Sequence, residues 1–265
     1  MKIYDCIMYY DEELTLSLRL NILDKYVDKF VIVEATRDHA GNAKKLNFDK
    51  KKFIKFEKKI IYLVINDIPE KVKHYKKGWS PNFFRENFHR NAISRALTDC
   101  SPNDLIIISD ADEIPNLDIL ENIKINKLAI FSQNHFCYKI NLLQDYNWLG
   151  SSICYKKYLK SPQWLRNKRF LRRGFLRKIF FKTQILKNGG WHFSYLKTPE
   201  DISKKINAYA HGELTDFFNV EFIKKNIEMN KLFTSPEFKL LKIPLDNTFP
   251  LYIRSNKEIL SDWIL

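Results

Sequence analysis

Between Asp104 and Pro115 a short apolar run, Leu105-Ile106-Ile107-Ile108, ends at Ser109 and gives way to Asp110, Asp112, Glu113 and a proline. Four consecutive apolar residues leave no polar face, so the run suits a strand covered on both sides, as in the parallel sheets of α/β proteins. That places the acids at the carboxyl edge of the sheet, where open α/β folds bind ligands. Two carboxylates one residue apart can share a hard divalent cation such as Mg²⁺ or Mn²⁺, which takes oxygen ligands and keeps positions open for substrate phosphates. The same acids also suit a helix opening: Asp112 or Glu113 ahead of Ile114-Pro115 can cap a helix running toward Ile123.

The flanking chain supports a sheet. Lys2 to Tyr10, Lys29 to Ala35, Lys59 to Ile65 and Asp104 to Ser109 read as strands, with helices over Glu12 to Asp24 and Phe83 to Leu97. Strand and helix alternate through the first 125 residues, which argues for an α/β fold with a doubly wound, mostly parallel central sheet of nucleotide-binding type. After Leu128 the pattern shifts to longer aromatic strands, Phe131 to Leu143 and Ile179 to Gln184, and then to helices at Pro199 to Ala210 and Val220 to Leu232. With no Ser/Gly-rich linker and no internal repeat, 265 residues are expected to form one domain. Residues 1–125 are expected to form its nucleotide-binding half, and residues 126–265 the half that supplies the remaining ligand contacts and a lid.

Composition narrows the class. Cys6, Cys100, Cys137 and Cys154 show neither C-x-x-C nor Cys/His spacing, so a disulfide framework or zinc site is not expected, and buried thiols fit a reducing compartment. No apolar run reaches the ~18 residues of a membrane span, and Asp5 interrupts what would be the apolar core of a signal peptide. The expected location is cytoplasmic, with peripheral contact at the inner face of a membrane. That contact would come from the charge excess of +14, which is concentrated: Lys156 to Lys187 holds 12 Lys/Arg and no Asp/Glu, leaving 33 basic against 31 acidic residues elsewhere. Interleaved aromatics make this segment, 156–187, a candidate surface for an anionic membrane or a phosphate-bearing acceptor. No nucleic-acid fold signature accompanies it, so a nucleic-acid partner is not expected.

Several blocks together resemble the glycosyltransferases of family 17. They are Tyr4-Asp5-Cys6 with Asp11-Glu12-Glu13-Leu14 and Arg19-Leu20-Asn21, then Val27 through Ala35, then Arg85-Glu86-Asn87 with Arg90-Asn91-Ala92-Ile93. Ser109 through Pro115 and Gly189-Gly190-Trp191-His192-Phe193-Ser194-Tyr195 follow in the same order. The resemblance implies a GT-A-type (Rossmann-like) fold and an inverting, metal-dependent transfer of a sugar to a glycan or lipid-linked acceptor. UDP-N-acetylglucosamine is the implied nucleotide-sugar donor, with Mn²⁺ or Mg²⁺ held by the Asp-x-Asp motif.

Carried onto this chain, Asp112 would bind the metal directly, Asp110 would lie near the ribose or reach the ion through water, and His192 would complete the metal shell. Tyr9, Asp11, Glu13 and Arg19 occupy the place where uridine binds in this fold class. Glu34, at the end of the second strand, is suited to a ribose hydroxyl; Arg90 and Asn91 would reach the donor, and Trp191 would stack on a sugar face. Direct displacement also needs a carboxylate base, for which Glu113, Asp145 and Glu213 are the candidates. Two other classes remain open on the sequence: a polyanion-binding metal-dependent nuclease, and a silent glycan-binding domain.

Overall fold

The computed structural model describes residues 1–72, 80–172, 183–209 and 219–265. They form two compact units, Met1–Gln133 with Leu149–Gly190, and Asn134–Trp148 with Trp191–Leu265.

The first unit is a mixed α/β layer structure. Strands β1 (Ile3–Tyr9), β2 (Lys29–Ala35), β3 (Ile60–Ile65) and β4 (Leu105–Ser109) lie in the order β3-β2-β1-β4, all parallel. Helix α1 (Glu13–Leu23) connects the first two, and α2 (Pro81–Ala92) precedes β4. Ile106, Ile107 and Ile108 are fully buried, as are Val31, Ile32 and Val33, which is why these runs carry no polar alternation. The acidic segment does not open a helix toward Ile123. Glu113–Pro115 is a short strand, β5, and only a 3₁₀ turn over Asp118–Glu121 follows.

Beyond β5 the sheet ceases to be purely parallel. Strands β6 (Leu128–Cys137) and β7 (Leu142–Tyr155) are the expected aromatic strands, but the single run Phe131 to Leu143 is divided by a turn where Tyr138 adopts φ 66°. In the first unit β7 pairs antiparallel with β4, Ile107 opposite Ile153, and β6 pairs parallel with β8 (Gln184–Leu186). Of the expected strand Ile179 to Gln184, positions 179–182 lie outside the described residues. Between β7 and β8, helix α3 (Pro162–Arg166) starts with Ser161 Oγ accepting from Trp164 N at 3.1 Å and Pro162 in its first turn.

In the second unit the end of β6 pairs parallel with β9 (Gly190–Ser194), and the start of β7 pairs antiparallel with the short β12 (Leu241–Lys242). Helices α4 (Pro199–Tyr209), α5 (Val220–Glu228) and α6 (Leu251–Ser255) and the hairpin of β10 (Lys231–Leu232) with β11 (Ser235–Lys239) complete it. The helix expected over Val220 to Leu232 stops early because Asn230 turns left-handed, φ 53°, and its chain leaves as a strand. The unit has its own core: Tyr138, Leu142, Ile202, Ile223, Phe233 and Leu240 are buried together. Cys6, Cys137 and Cys154 are buried free thiols, and burial pushes the Cys154 thiol up to about 12. No helix among the described residues is long and apolar enough to cross a membrane.

Candidate functional site

The acidic turn after β4 is held from three directions within the first unit. Glu113 is wholly buried, and its carboxylate accepts both terminal nitrogens of Arg166, Oε2 from Nη1 at 2.5 Å and Oε1 from Nη2 at 2.7 Å. Arg169 Nη1 adds a longer contact, 3.3 Å. Glu113 Oε2 also accepts from the backbone N–H of Asp110, closing the turn on itself. Arg166 reaches the Asp110 carboxylate as well, and Arg90 Nη2 donates to Asp110 Oδ1 at 3.0 Å and to Glu86 Oε1 at 2.8 Å. Burial opposes ionisation of Asp110, but Arg166, Arg90 and Arg169 together outweigh it and hold the carboxyl well below the usual range. The same pairing drives the Arg166 guanidinium upward in spite of its own burial.

Arg19 grips the backbone of the turn. Its Nη1 donates to the carbonyls of Glu113 at 2.7 Å and Asp110 at 3.3 Å, and Nε and Nη2 make a two-point pair with buried Asp5. Helix α1 therefore delivers a cation to two backbone carbonyls of the acidic turn. Ser151 Oγ, on β7, donates to the Glu113 carbonyl at 2.9 Å. Asp112, between the two clamped acids, is half-buried.

The remaining residues singled out in the sequence divide by surroundings. Glu34 is fully buried and accepts from Lys44 Nζ (2.6 Å), Tyr62 OH (2.9 Å) and the N–H groups of Asn47 and Phe48 (2.7 and 3.0 Å), so it organises the chain that follows β2. Tyr9 is buried edge-on to Phe48, Asp11 is half-buried, and Glu13 is exposed and paired with Lys52. Asn91 Oδ1 accepts from Gln163 N at 3.0 Å, and Gln163 Oε1 accepts from Arg90 Nη1 at 2.5 Å, which ties α2 to α3 beside the acidic turn.

His192 and Trp191 belong to the second unit. There the rings of His192, His135 and Trp148 form a three-way cluster, His192 lying 4.3 Å from His135 and 4.7 Å from Trp148 and those two 5.0 Å from each other, and Ser194 Oγ bridges the two histidine Nε2 atoms at 2.9 and 3.0 Å. Trp191 is buried, with Nε1 donating to Thr248 O. Asp145 is exposed on β7 and accepts from Asn147 N. Glu213 lies outside the described residues.

Arg166, Gln163, Asp5, Ser151, His135 and Trp148 were given no site role in the sequence. Arg166 sat in the basic segment, whose spacing distinguishes no internal cation from a solvated one. Asp5 was detectable: a carboxylate inside an otherwise apolar strand needs a partner, and Arg19 on the next helix supplies it. Arg166 and Arg169 thus spend part of the segment's charge internally, on Asp110 and Glu113; positions 173–182 lie outside the described residues.

The family model for glycosyltransferase family 17 matches residues 1–233. The human β-1,4-mannosyl-glycoprotein 4-β-N-acetylglucosaminyltransferase is 25% identical over 222 residues, and the rat and mouse enzymes of the same name are 25% and 24% identical. Each alignment takes in 75% of this chain and 41% of the relative, so the chain spans about two fifths of the length of the curated relatives it matches. A match running from the first strand through the acidic turn clamped by Arg19, Arg90 and Arg166, and on into the second unit, places the chain in glycosyltransferase family 17.

Proposed function

We propose that the protein transfers N-acetylglucosamine from UDP-N-acetylglucosamine to a glycan or glycolipid acceptor, with inversion at the anomeric carbon, and that residues 1–125 form the donor half of a GT-A-type fold. The observation that carries this reading is the acidic turn at the carboxyl edge of β4, fixed by three buried arginines, in a chain of this family. The curated relatives are named for the same sugar transfer.

Among the described residues no three His, Cys, Asp or Glu side chains converge as a metal site, so a hard divalent ion would rest on few protein ligands and on the substrate. Magnesium in particular binds through one or two carboxylates together with substrate phosphates and water, and Asp112 supplies such a carboxylate at the ligand-binding edge. Asp110, with a guanidinium on each oxygen, suits contact through water or to the ribose. The ion, Mn²⁺ or Mg²⁺, would act as a Lewis acid toward the leaving diphosphate. The protein's own part is positioning. Arg19 and Ser151 fix the backbone, Glu113 and Arg166 lock the turn, and Arg90 keeps Asp110 ionised.

Isothermal titration of UDP-N-acetylglucosamine and UDP, with Mn²⁺ and with chelator, tests the reading on wild type and Asp112→Ala. Metal-dependent binding in the micromolar range, about −8 kcal/mol, is expected for wild type and its loss for the variant. Absence of binding to any nucleotide sugar in either condition would overturn the proposal.

A further inference from the structure

We infer that the groove between α2 and α3 in the first unit is a binding site for a neutral pyranose ring, an acceptor sugar on the transferase reading, on which this assignment of substrate class rests. The groove encloses about 520 Å³, walled by Phe84, Phe88 and Trp164 and edged by Asn87, Asn167 and Gln163. That volume lies in the range of small-molecule sites, which combine apolar walls with a few placed polar groups.

Asn87 carries the argument. It is 6% exposed, it lines the groove, and neither its Nδ2 nor its Oδ1 has a hydrogen-bond partner. Gln163 in the same wall is equally buried but fully engaged, its Oε1 on Arg90 and its Nε2 on Asn167 Oδ1. A buried carboxamide with both ends unmet weakens the free protein, and an isosteric leucine would pack the position without that cost. A side chain of this kind is explained by a ligand that supplies the missing donor and acceptor.

The chemistry of the wall selects the ligand. A carboxamide offers one donor and one acceptor side by side, and adjacent ring hydroxyls, each both donor and acceptor, match that pair. The aromatic walls suit the C–H face of the ring. Among the described residues, Lys168 is the cation that lines the groove, and it sits over the Trp164 ring at 4.4 Å, with Lys160 over the same ring at 5.8 Å. The groove also adjoins the acidic turn, because Gln163 is bonded to Arg90 and Arg90 to Asp110. A sugar held there lies against the residues that organise the donor-side acids.

Titration of the methyl pyranosides of glucose, galactose, mannose and N-acetylglucosamine into the full chain, followed by ligand-observed NMR, tests this. At least one is expected to bind in the millimolar range. Asn87→Leu is expected to weaken it at least about tenfold while leaving the melting temperature equal or higher and UDP affinity unchanged. Asn167→Ala, at the half-buried rim, is a second variant expected to weaken the same pyranoside and serves should Asn87→Leu not fold. Failure of every pyranoside to bind, undiminished binding by the variants, or displacement of the sugar by uridine would overturn the assignment. Asn87-dependent pyranoside binding in a protein that ignores nucleotide sugars would overturn the transferase reading and leave the groove standing.

Discussion

Glu113 has no exposure to water and meets two guanidiniums, so its partners cannot be removed singly without consequence. Arg166→Met leaves a buried carboxylate facing only the longer Arg169 contact. A loss of about 3–5 kcal/mol in urea unfolding is expected, with Arg166→Met/Glu113→Gln recovering part of it. A second residue-level effect concerns His89, buried against His39 and bonded through Nε2 to Val33 O, with the charges of Arg90 and Lys44 also disfavouring its protonation. Burial, reinforced by His39, pushes its pKa down to about 3. Because the folded form resists the proton that an unfolded histidine takes up near pH 6.5, stability is complete above that pH and declines as pH falls toward 3. The melting temperature should therefore begin to fall well above the carboxylate range, and His89→Gln should flatten the curve between about pH 6.5 and 5. Asp110, whose pKa is lowered, adds a separate loss at lower pH, starting below about 4, where unfolded carboxylates take up protons.

At the level of elements, apolar density was the legible part of the sequence. β2 has the bounds expected of it, and β1, β3 and β4 differ by a single residue at one or both ends, because short runs dense in β-branched and other apolar residues have no competing helical pattern. The division of β6 from β7 was hidden, since Tyr138 and Ile140 continue the apolar run through the turn while backbone geometry alone breaks it. The stop of α5 at Asn230 was readable as an asparagine after the last helical turn. Of the site, the acids were visible, but Arg166 was not, because its partners lie 53 and 56 residues earlier. Gly190 shows what local chemistry the same pattern does encode: at φ +124°, a Cβ would stand 2.2 Å from Ile114 O and 2.6 Å from Asn116 N. Gly190→Ala is expected to cost about 3 kcal/mol or more, measured by denaturant unfolding, and to disturb β5, which bears Glu113.

For the molecule as a whole, burial forecasts a gradient of local stability. Backbone amides of β1, β2 and β4, central and parallel in the first unit, should exchange with deuterium most slowly, and those of the exposed β11 and β12 fastest. Slow exchange in β11 with fast exchange in β4 would contradict that ordering. The charge of the chain also looks different once placed. An excess of +14 reads from sequence as a surface property, yet Arg166 and Arg169 are internal counter-ions.

Arg19 binds a carboxylate from the first strand at one end and two carbonyls of the acidic turn at the other. Substituting Asp5 strands a buried cation, and substituting Arg19 strands a buried anion and loosens the turn together. Residues 5, 19 and 110 to 113 therefore form one unit of inheritance. Any lineage that keeps the acidic turn in this geometry is constrained to keep, or to exchange in concert, a pair of residues roughly a hundred positions away from it.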